Sequence, residues 1–289
     1  MVDFFVPLDL REPINQAVDS LVVRYGDRLH VLNDLILQGL LLPLERALRG
    51  APPWVILLVV ALLAWRATRR WQVALPLTVA CYLIGCFGLW DALMQTLALV
   101  LVATVLAVVA GLPLGIVAAH SRRLRAVVLP VLDVMQTLPT FVYLIPAVML
   151  FGLGKVPAIL ATVVYAICPL VRLTDLGLRQ VDPDVQEAAH SFGTTRWQML
   201  LGVQLPLAWP SILAGVNQTV MMALSMVVVA SMIGARGLGE EVLAGIQTLD
   251  VGRGLQAGLA IVLLAVAIDR ITQGFGRVRR PIRDEERRS

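Results

Sequence analysis

Residues 187–206 read Glu-Ala-Ala-His-Ser-Phe-Gly-Thr-Thr-Arg-Trp-Gln-Met-Leu-Leu-Gly-Val-Gln-Leu-Pro, a polar, charged and chain-bending run inside an otherwise strongly apolar sequence. Glu187, Ala188 and Ala189 are followed after three residues by Gly193, then after nine by Val203, with Leu205 and Pro206 closing the run. Residues 187–191 can form a helical turn, and Gly193 allows a bend at little steric cost because it has no Cβ. Residues 196–201 predict a second short helix, ended before Pro206, since proline disfavours helical geometry in the residue preceding it. Connections between helices usually take ~2–6 residues, yet the apolar stretches on either side stop at 171 and resume at 211. So long a polar insert reads as a docking element; an ordinary interhelical loop is the competing reading.

Outward from that run, composition sets the class. The chain has 289 residues, of which 58% are hydrophobic, and its mean hydropathy is +0.80. Soluble domains average ~45–50% apolar, so one globular core cannot enclose this much apolar surface. A spanning helix needs ~20 mostly apolar residues, and candidates lie near 52–67, 71–89, 92–119, 138–153, 156–171, 211–233 and 255–273. The first and fifth of these are short and read as tilted or partly interfacial. Charge at a helix centre costs ~2.5–3.5 kcal/mol on insertion scales. Asp91, Asp133, Asp175 and Asp269 accordingly read as lying at or beyond segment ends. The expectation is an all-α, polytopic transmembrane helical bundle of about seven spans with an N-terminal amphipathic helical segment.

Orientation follows from Lys and Arg. Placing residues 176–210 inside puts Arg66, Arg69, Arg70, Arg122, Arg123, Arg125, Arg172, Arg179, Arg196 and the basic tail on the cytoplasmic side, in accord with the positive-inside rule. The formal charge of +4 is then a matter of topology, and the basic residues are too dispersed to form a nucleic-acid recognition module. Asp3, Asp9, Arg11 and Glu12 interrupt any early apolar run, so no cleavable signal peptide is expected. Between residues 14 and 48, Ile14, Val18, Leu21, Val22, Tyr25, Leu29, Leu32, Leu35 and Ile36 recur at three- and four-residue intervals. That period describes amphipathic helices on a membrane surface or against the bundle, read as a packing collar with a regulatory unit as the alternative.

Catalytic chemistry finds little support. Cys81, Cys86 and Cys168 form no CxxC pair and read as small buried hydrophobes. His30, His120 and His190 are scattered, so the sequence assembles neither a metal site nor a histidine-based nucleophile, and His190 reads as a solvated loop residue. Gly152-Leu153-Gly154-Lys155 fails as a phosphate loop, because Val156 stands where a hydroxyl would hold magnesium. Residues 234–239, Gly-Ala-Arg-Gly-Leu-Gly, are not GxGxxG and follow no strand. The chain is therefore expected to carry no cofactor or nucleotide site of its own.

Residues 133–139 (Asp-Val-Met-Gln-Thr-Leu-Pro), 172–175 (Arg-Leu-Thr-Asp), the stretch from Asn217 through Gly239, and above all the Glu-Ala-Ala run resemble the permease of glycine betaine/proline betaine/choline ABC importers. The resemblance covers roughly residues 50–275, with Val203 where many relatives have Ile. It implies a non-catalytic subunit of the bacterial inner (plasma) membrane, type I ABC importer-like. Expected partners are an ABC ATPase, a second permease copy and a separate extracytoplasmic binding protein, since the chain ends soon after its last span. In the family the Glu-Ala-Ala helix sits in a cleft of the ATPase. Glu187 would meet polar or basic groups there, Ala188 and Ala189 would permit close approach, and Gly193 would set the angle between two short helices.

The implied organisation is an extracytoplasmic or interfacial segment (1–50), two accessory spans (51–90), a core permease domain (91–275) containing the docking loop (176–210), and a basic cytoplasmic tail (276–289). Arg172 and Asp175, three apart, can pair on one helix face, as an interfacial salt bridge or as part of a gate. Asp133 and Gln136 read either as a cytoplasmic gate or as polar groups at a helix end. For a pathway, the sixth span offers Asn217, Gln218, Thr219, Met221, Met222, Ser225 and Met226; such polar residues face a bundle interior or mediate helix packing. Phe141, Tyr143 and Tyr165 could hold a quaternary ammonium by cation–π attraction. The expected function is therefore ATP-coupled uptake of betaine-like osmolytes by alternating access. The alternative within transport is a permease for another small solute such as an amino acid, and outside it an integral membrane enzyme, for which no clustered acid, base or metal set speaks.

Overall fold

The computed structural model describes residues 11–276, and in that range the chain is helical throughout its length, joined by short turns. Residues 1–10 and the tail from 277 onward, for which the sequence carries expectations, lie outside the described residues. In order the helices are α1 (Arg11–Asp34), α2 (Leu42–Gly50), α3 (Pro53–Thr68), α4 (Trp71–Cys86), α5 (Trp90–His120), α6 (Arg122–Thr137), α7 (Leu144–Phe151), α8 (Lys155–Arg179), α9 (Pro183–Ser191), α10 (Arg196–Met199), α11 (Leu205–Ser231), α12 (Leu238–Gln247) and α13 (Val251–Gly276). Wider π-helical turns at Leu35–Leu41 and Leu200–Gln204 join α1 to α2 and α10 to α11 without a break.

Each of the seven apolar stretches is largely helical. Among the described residues, four helices are long and apolar enough to cross a membrane: α5, α8, the 36-residue run Arg196–Ser231, and α13. Up to six do so if each bent pair is one span, and Trp71–Cys86 is a further, shorter apolar helix. The stretch 138–153 is not a continuous helix. Pro139 opens a single 3-10 turn at Thr140–Tyr143 before α7, and Thr140–Phe151 is bent 113° from α6. The stretch 156–171, read as short, belongs to the 25-residue α8.

α8 lies between α5 and α11. Small residues let the backbones meet: a Cβ on Gly115 would be 2.7 Å from the Thr174 Cβ, and one on Gly177 2.6 Å from the Ser211 Cβ. Lipid tails are as apolar as leucine, so association of such helices depends on close van der Waals packing, which small residues make possible. Around this centre Leu93, Met94, Val100, Ala223, Leu224, Leu238 and Leu264 form one core cluster. Ile36 and Leu41 reach into a second, with Ala98, Ile159 and Ala230. The N-terminal helices are thereby packed on the bundle, and buried Glu45 anchors them by accepting from Lys155 Nζ at 2.7 Å.

Some of these readings change in the structure. Asp133 and Asp175 lie outside the apolar stretches, as read, but inside α6 and α8, and Asp269 lies within α13; Arg125 donates to Asp175 and Asn217 to Asp269. Cys81 and Cys168 are buried but Cys86 is exposed, at the last residue of α4. Residues 234–253 contain α12, which folds back with Leu238 and Gly239 buried against the core.

Candidate functional site

The run that opened the sequence reading protrudes from one end of the bundle. α9 starts on Asp182, whose carboxylate accepts from the Asp184 N–H at 2.9 Å, and on Pro183, whose ring suits a first helical turn. Glu187 and Ala188 are exposed and Ala189 is half-buried. Gly193 turns the chain at φ +76°, a left-handed value that L side chains seldom adopt. α10 begins in a capping box: the Thr195 hydroxyl accepts from the Gln198 N–H, and the Gln198 side chain accepts from the Thr195 N–H at 2.8 Å. The two short helices are thus fixed locally, and no residue of α9 is buried.

Pro206 does not end the second helix. The π turn at Leu200–Gln204 takes up the extra residue ahead of it, and Pro206, which has no N–H to donate, follows inside the same rod at the start of α11. Leu205, half-buried, and Pro206, exposed, are therefore part of one rod with α10. Exposed Phe192, at 89%, and Trp197, at 72%, stand on either side of the Gly193 bend. Sequence reasoning passed over both, although large aromatics in a polar, protruding loop are the mark of a contact surface.

A chain of four hydrogen bonds ties this loop to α5. His120 Nδ1 lies 2.8 Å from the Ile116 carbonyl and its Nε2 3.1 Å from Gln204 Oε1. Gln204 Nε2 donates to Gln186 Oε1 at 3.0 Å, and Gln186 Nε2 donates to the Val181 carbonyl at 2.9 Å. Neither glutamine carried a signal in the sequence, since each finds its partners only through the fold.

Next to the loop, α6 crosses α8 through two ion pairs. Arg125 Nε donates to Asp175 Oδ2 at 3.0 Å, and Arg172 pairs with Asp133. The expected pairing of Arg172 with Asp175 is thus replaced: each turns to α6 instead, because Asp175 is 3% exposed and faces the crossing. Gln136 is exposed on α6. At the bend beyond it the buried Tyr143 donates its hydroxyl to the Met135 carbonyl, with its ring 5.9 Å from that of Tyr165. Tyr143, Ala161 and Met226 pack as one cluster, and Phe141 is exposed beside it.

The remaining residues proposed for a path divide. Asn217 donates to Asp269 Oδ1 at 2.7 Å and so faces α13, away from the tyrosines. Met221 and Met222 are half-buried, Ser225 is exposed with its hydroxyl on the Met222 carbonyl, and Thr219 is fully buried. At the far end the two glycine-rich stretches meet, the Gly154 N–H donating to the Ile233 carbonyl at 2.9 Å. Both are turns against one another, with Leu238 N–H held by Thr96 Oγ1 at 2.8 Å.

Residues 111–280, which contain the protruding loop and the α6–α8 crossing, match the family of binding-protein-dependent transport system inner membrane components. The chain belongs to this family. It is 47% identical over 277 residues to the glycine betaine/proline betaine transport system permease protein ProW of Escherichia coli K12, covering 94% of this chain and 76% of that one. It is 43% identical to the glycine betaine transport system permease protein OpuAB of Bacillus subtilis, covering 93% and 94%. A similar figure, 44%, holds for the glycine betaine/carnitine transport permease protein GbuB of Listeria monocytogenes. Among solved structures, an inward-facing form of the MetNI methionine ABC transporter superposes with a TM-score of 0.57 at 22% identity, covering 63% of this chain and 94% of that one. The permease therefore has the helical fold of an ABC importer subunit and is an inner-membrane transport component.

Proposed function

We propose that the permease forms the translocation path of an ATP-driven importer for glycine betaine, proline betaine, choline and similar quaternary ammonium compounds. The observation that carries the reading is the protruding α9–Gly193–α10 element, presented by a chain whose relatives are named as betaine permeases. In this reading the element docks on a partner ATPase that binds ATP and magnesium. Glu187, Ala188, Ala189 and Gly193 meet its cleft, and Leu205 and Pro206 join the contact to the spanning rod. A second copy of the chain completes the path, and an extracytoplasmic binding protein delivers the solute.

The loop face is then cytoplasmic, with residues 1–50 extracytoplasmic or interfacial, 51–90 as accessory spans, 91–275 as the core unit, and the tail inside. Tyr143, Tyr165 and Phe141 supply aromatic faces toward a methylated ammonium, and the Arg125–Asp175 and Arg172–Asp133 pairs brace the inner end of the path. Asn217 serves to hold α11 on α13. The test is uptake of radiolabelled glycine betaine and choline by proteoliposomes containing permease, ATPase and binding protein, with methionine as competitor. ATP-dependent betaine uptake unaffected by methionine is expected. Saturable methionine uptake with neither betaine nor choline carried would replace the substrate class.

A further inference from the structure

We propose that the permease holds the phosphate headgroup of an anionic phospholipid where the turn between α3 and α4 meets the end of α13. A cavity of about 500 Å³ opens there, walled by Arg66, Arg69, Arg70 and Arg270 together with Val73 and Phe275. All four arginines are exposed. None of them takes part in an ion pair among the described residues. Asp269, the acid next to Arg270, uses Oδ1 to accept from both Asn217 and Gln273. Four guanidinium groups around one space repel one another, and an anion with several acceptor oxygens placed among them relieves that repulsion. Phosphate meets that need, since the planar guanidinium fork matches two of its oxygens at once.

The fold builds this convergence. A Cβ on Gly274 would be 2.7 Å from the Cβ of Ala67, so α13 crosses α3 backbone against backbone and carries Arg270, one turn earlier, to the α3–α4 turn. Arg69 takes a left-handed φ of +52°, uncommon for a residue with a side chain. That conformation closes the turn in two residues and brings Arg70 round to the cavity. α4 starts beside it with no side-chain cap, so its free N–H groups and positive dipole end add to the field.

Position selects a lipid as the source of the phosphate. Exposed Trp65 and Trp71 stand on either side of the turn, and tryptophan concentrates at headgroup level. Beyond them Leu62 and Leu75 are exposed on the same two helices, the apolar surface that acyl chains cover. A free anion has no use for that surface. The chain's own Asp284, Glu285 and Glu286 are a rival occupant that the experiment separates.

The full chain is reconstituted in phosphatidylcholine nanodiscs doped with phosphatidylglycerol, released into detergent, and examined by native mass spectrometry. One phosphatidylglycerol per chain is expected to stay bound, preferred over phosphatidylcholine by about tenfold. Inorganic phosphate in excess should leave it in place, and the variant Arg66→Gln/Arg70→Gln/Arg270→Gln should bring the preference close to unity. The native chain should also melt at a higher temperature with phosphatidylglycerol than without, a comparison independent of how the variant folds. Equal retention of the two lipids by the native chain would overturn the proposal. So would displacement by inorganic phosphate, which would mark a free-anion site, or a preference seen only after removal of residues 277–289, which would mark the acidic tail as the occupant.

Discussion

Asp175, in the C-terminal half of α8, is bound by Arg125 from fifty residues earlier rather than by Arg172, one helical turn behind it. The partner across the crossing wins because a carboxylate so deeply buried needs a charged donor aimed into the contact, and Arg172 points instead at Asp133. Asp175 Oδ1 has no hydrogen-bond partner among the described residues, which makes the single bond from Arg125 decisive.

Replacing Arg125 by alanine is expected to leave a buried, unpaired carboxylate and to cost ~3–5 kcal/mol of stability. Arg172→Ala should cost only ~0–1 kcal/mol, since Asp133 on its pair is exposed. Thermal unfolding of the detergent-solubilised chain reads both, and Arg125→Ala/Asp175→Leu should recover most of the first loss. Equal losses for the two single variants would show that burial does not decide the matter.

Gly193→Val is expected to abolish ATP-coupled uptake while membrane insertion persists. A Cβ there would meet nothing within 4 Å, so the penalty is conformational, ~1–2 kcal/mol for a left-handed residue, and larger for a β-branched one. Gly193→Asn, which tolerates that region better, should retain intermediate activity. Uptake in the order Gly, Asn, Val at equal expression is the signature; full activity of the valine variant would remove the angle between α9 and α10 from the mechanism.

Phe192→Ala and Trp197→Ala should each weaken association with the ATPase by about tenfold or more without lowering the melting temperature of the isolated permease, because neither side chain is packed in it. Affinity measured with detergent-purified partners tests this. Unchanged affinity for both would move the docking surface off these aromatics.

Gly239→Ala and Gly258→Ala form a matched pair. A Cβ at Gly239 would come within 2.4 Å of the Val227 carbonyl oxygen, whereas at Gly258 it meets nothing within 4 Å. The first should displace α12 and cost ~1–3 kcal/mol; the second should be neutral or, as a helix interior gaining alanine, stabilising by up to ~1 kcal/mol. Unfolding midpoints of the two variants provide the comparison.

The apolar stretches and the Glu-Ala-Ala run were readable from sequence because hydrophobic length and an unusual polar insert are local properties. Gly193 was readable for the same reason: a positive φ is a demand on one residue. What escaped was relational. Spacing alone offered Arg172 to Asp175, and nothing local says that α6 lies across α8 and supplies a better partner to each. Asp269 looked terminal because hydropathy falls there, whereas α13 runs on through it and Asn217, fifty-two residues earlier, donates to its carboxylate. Pro206 looked like a stop, and the wider turn at Leu200–Gln204 that absorbs it has no sequence signature of its own.

That wider turn makes a lever of the docking end. Arg196–Ser231 is continuous over 36 residues, about 54 Å at 1.5 Å per residue. Tilting such a bar by ~10° about its middle shifts each tip by roughly 5 Å, a distance close to one helical turn. Under the proposed docking, a push at Trp197 would travel toward Met226 along this one helical run, and the π turn at Leu200–Gln204 with Pro206 and Pro210 sets how much of it is taken up by bending.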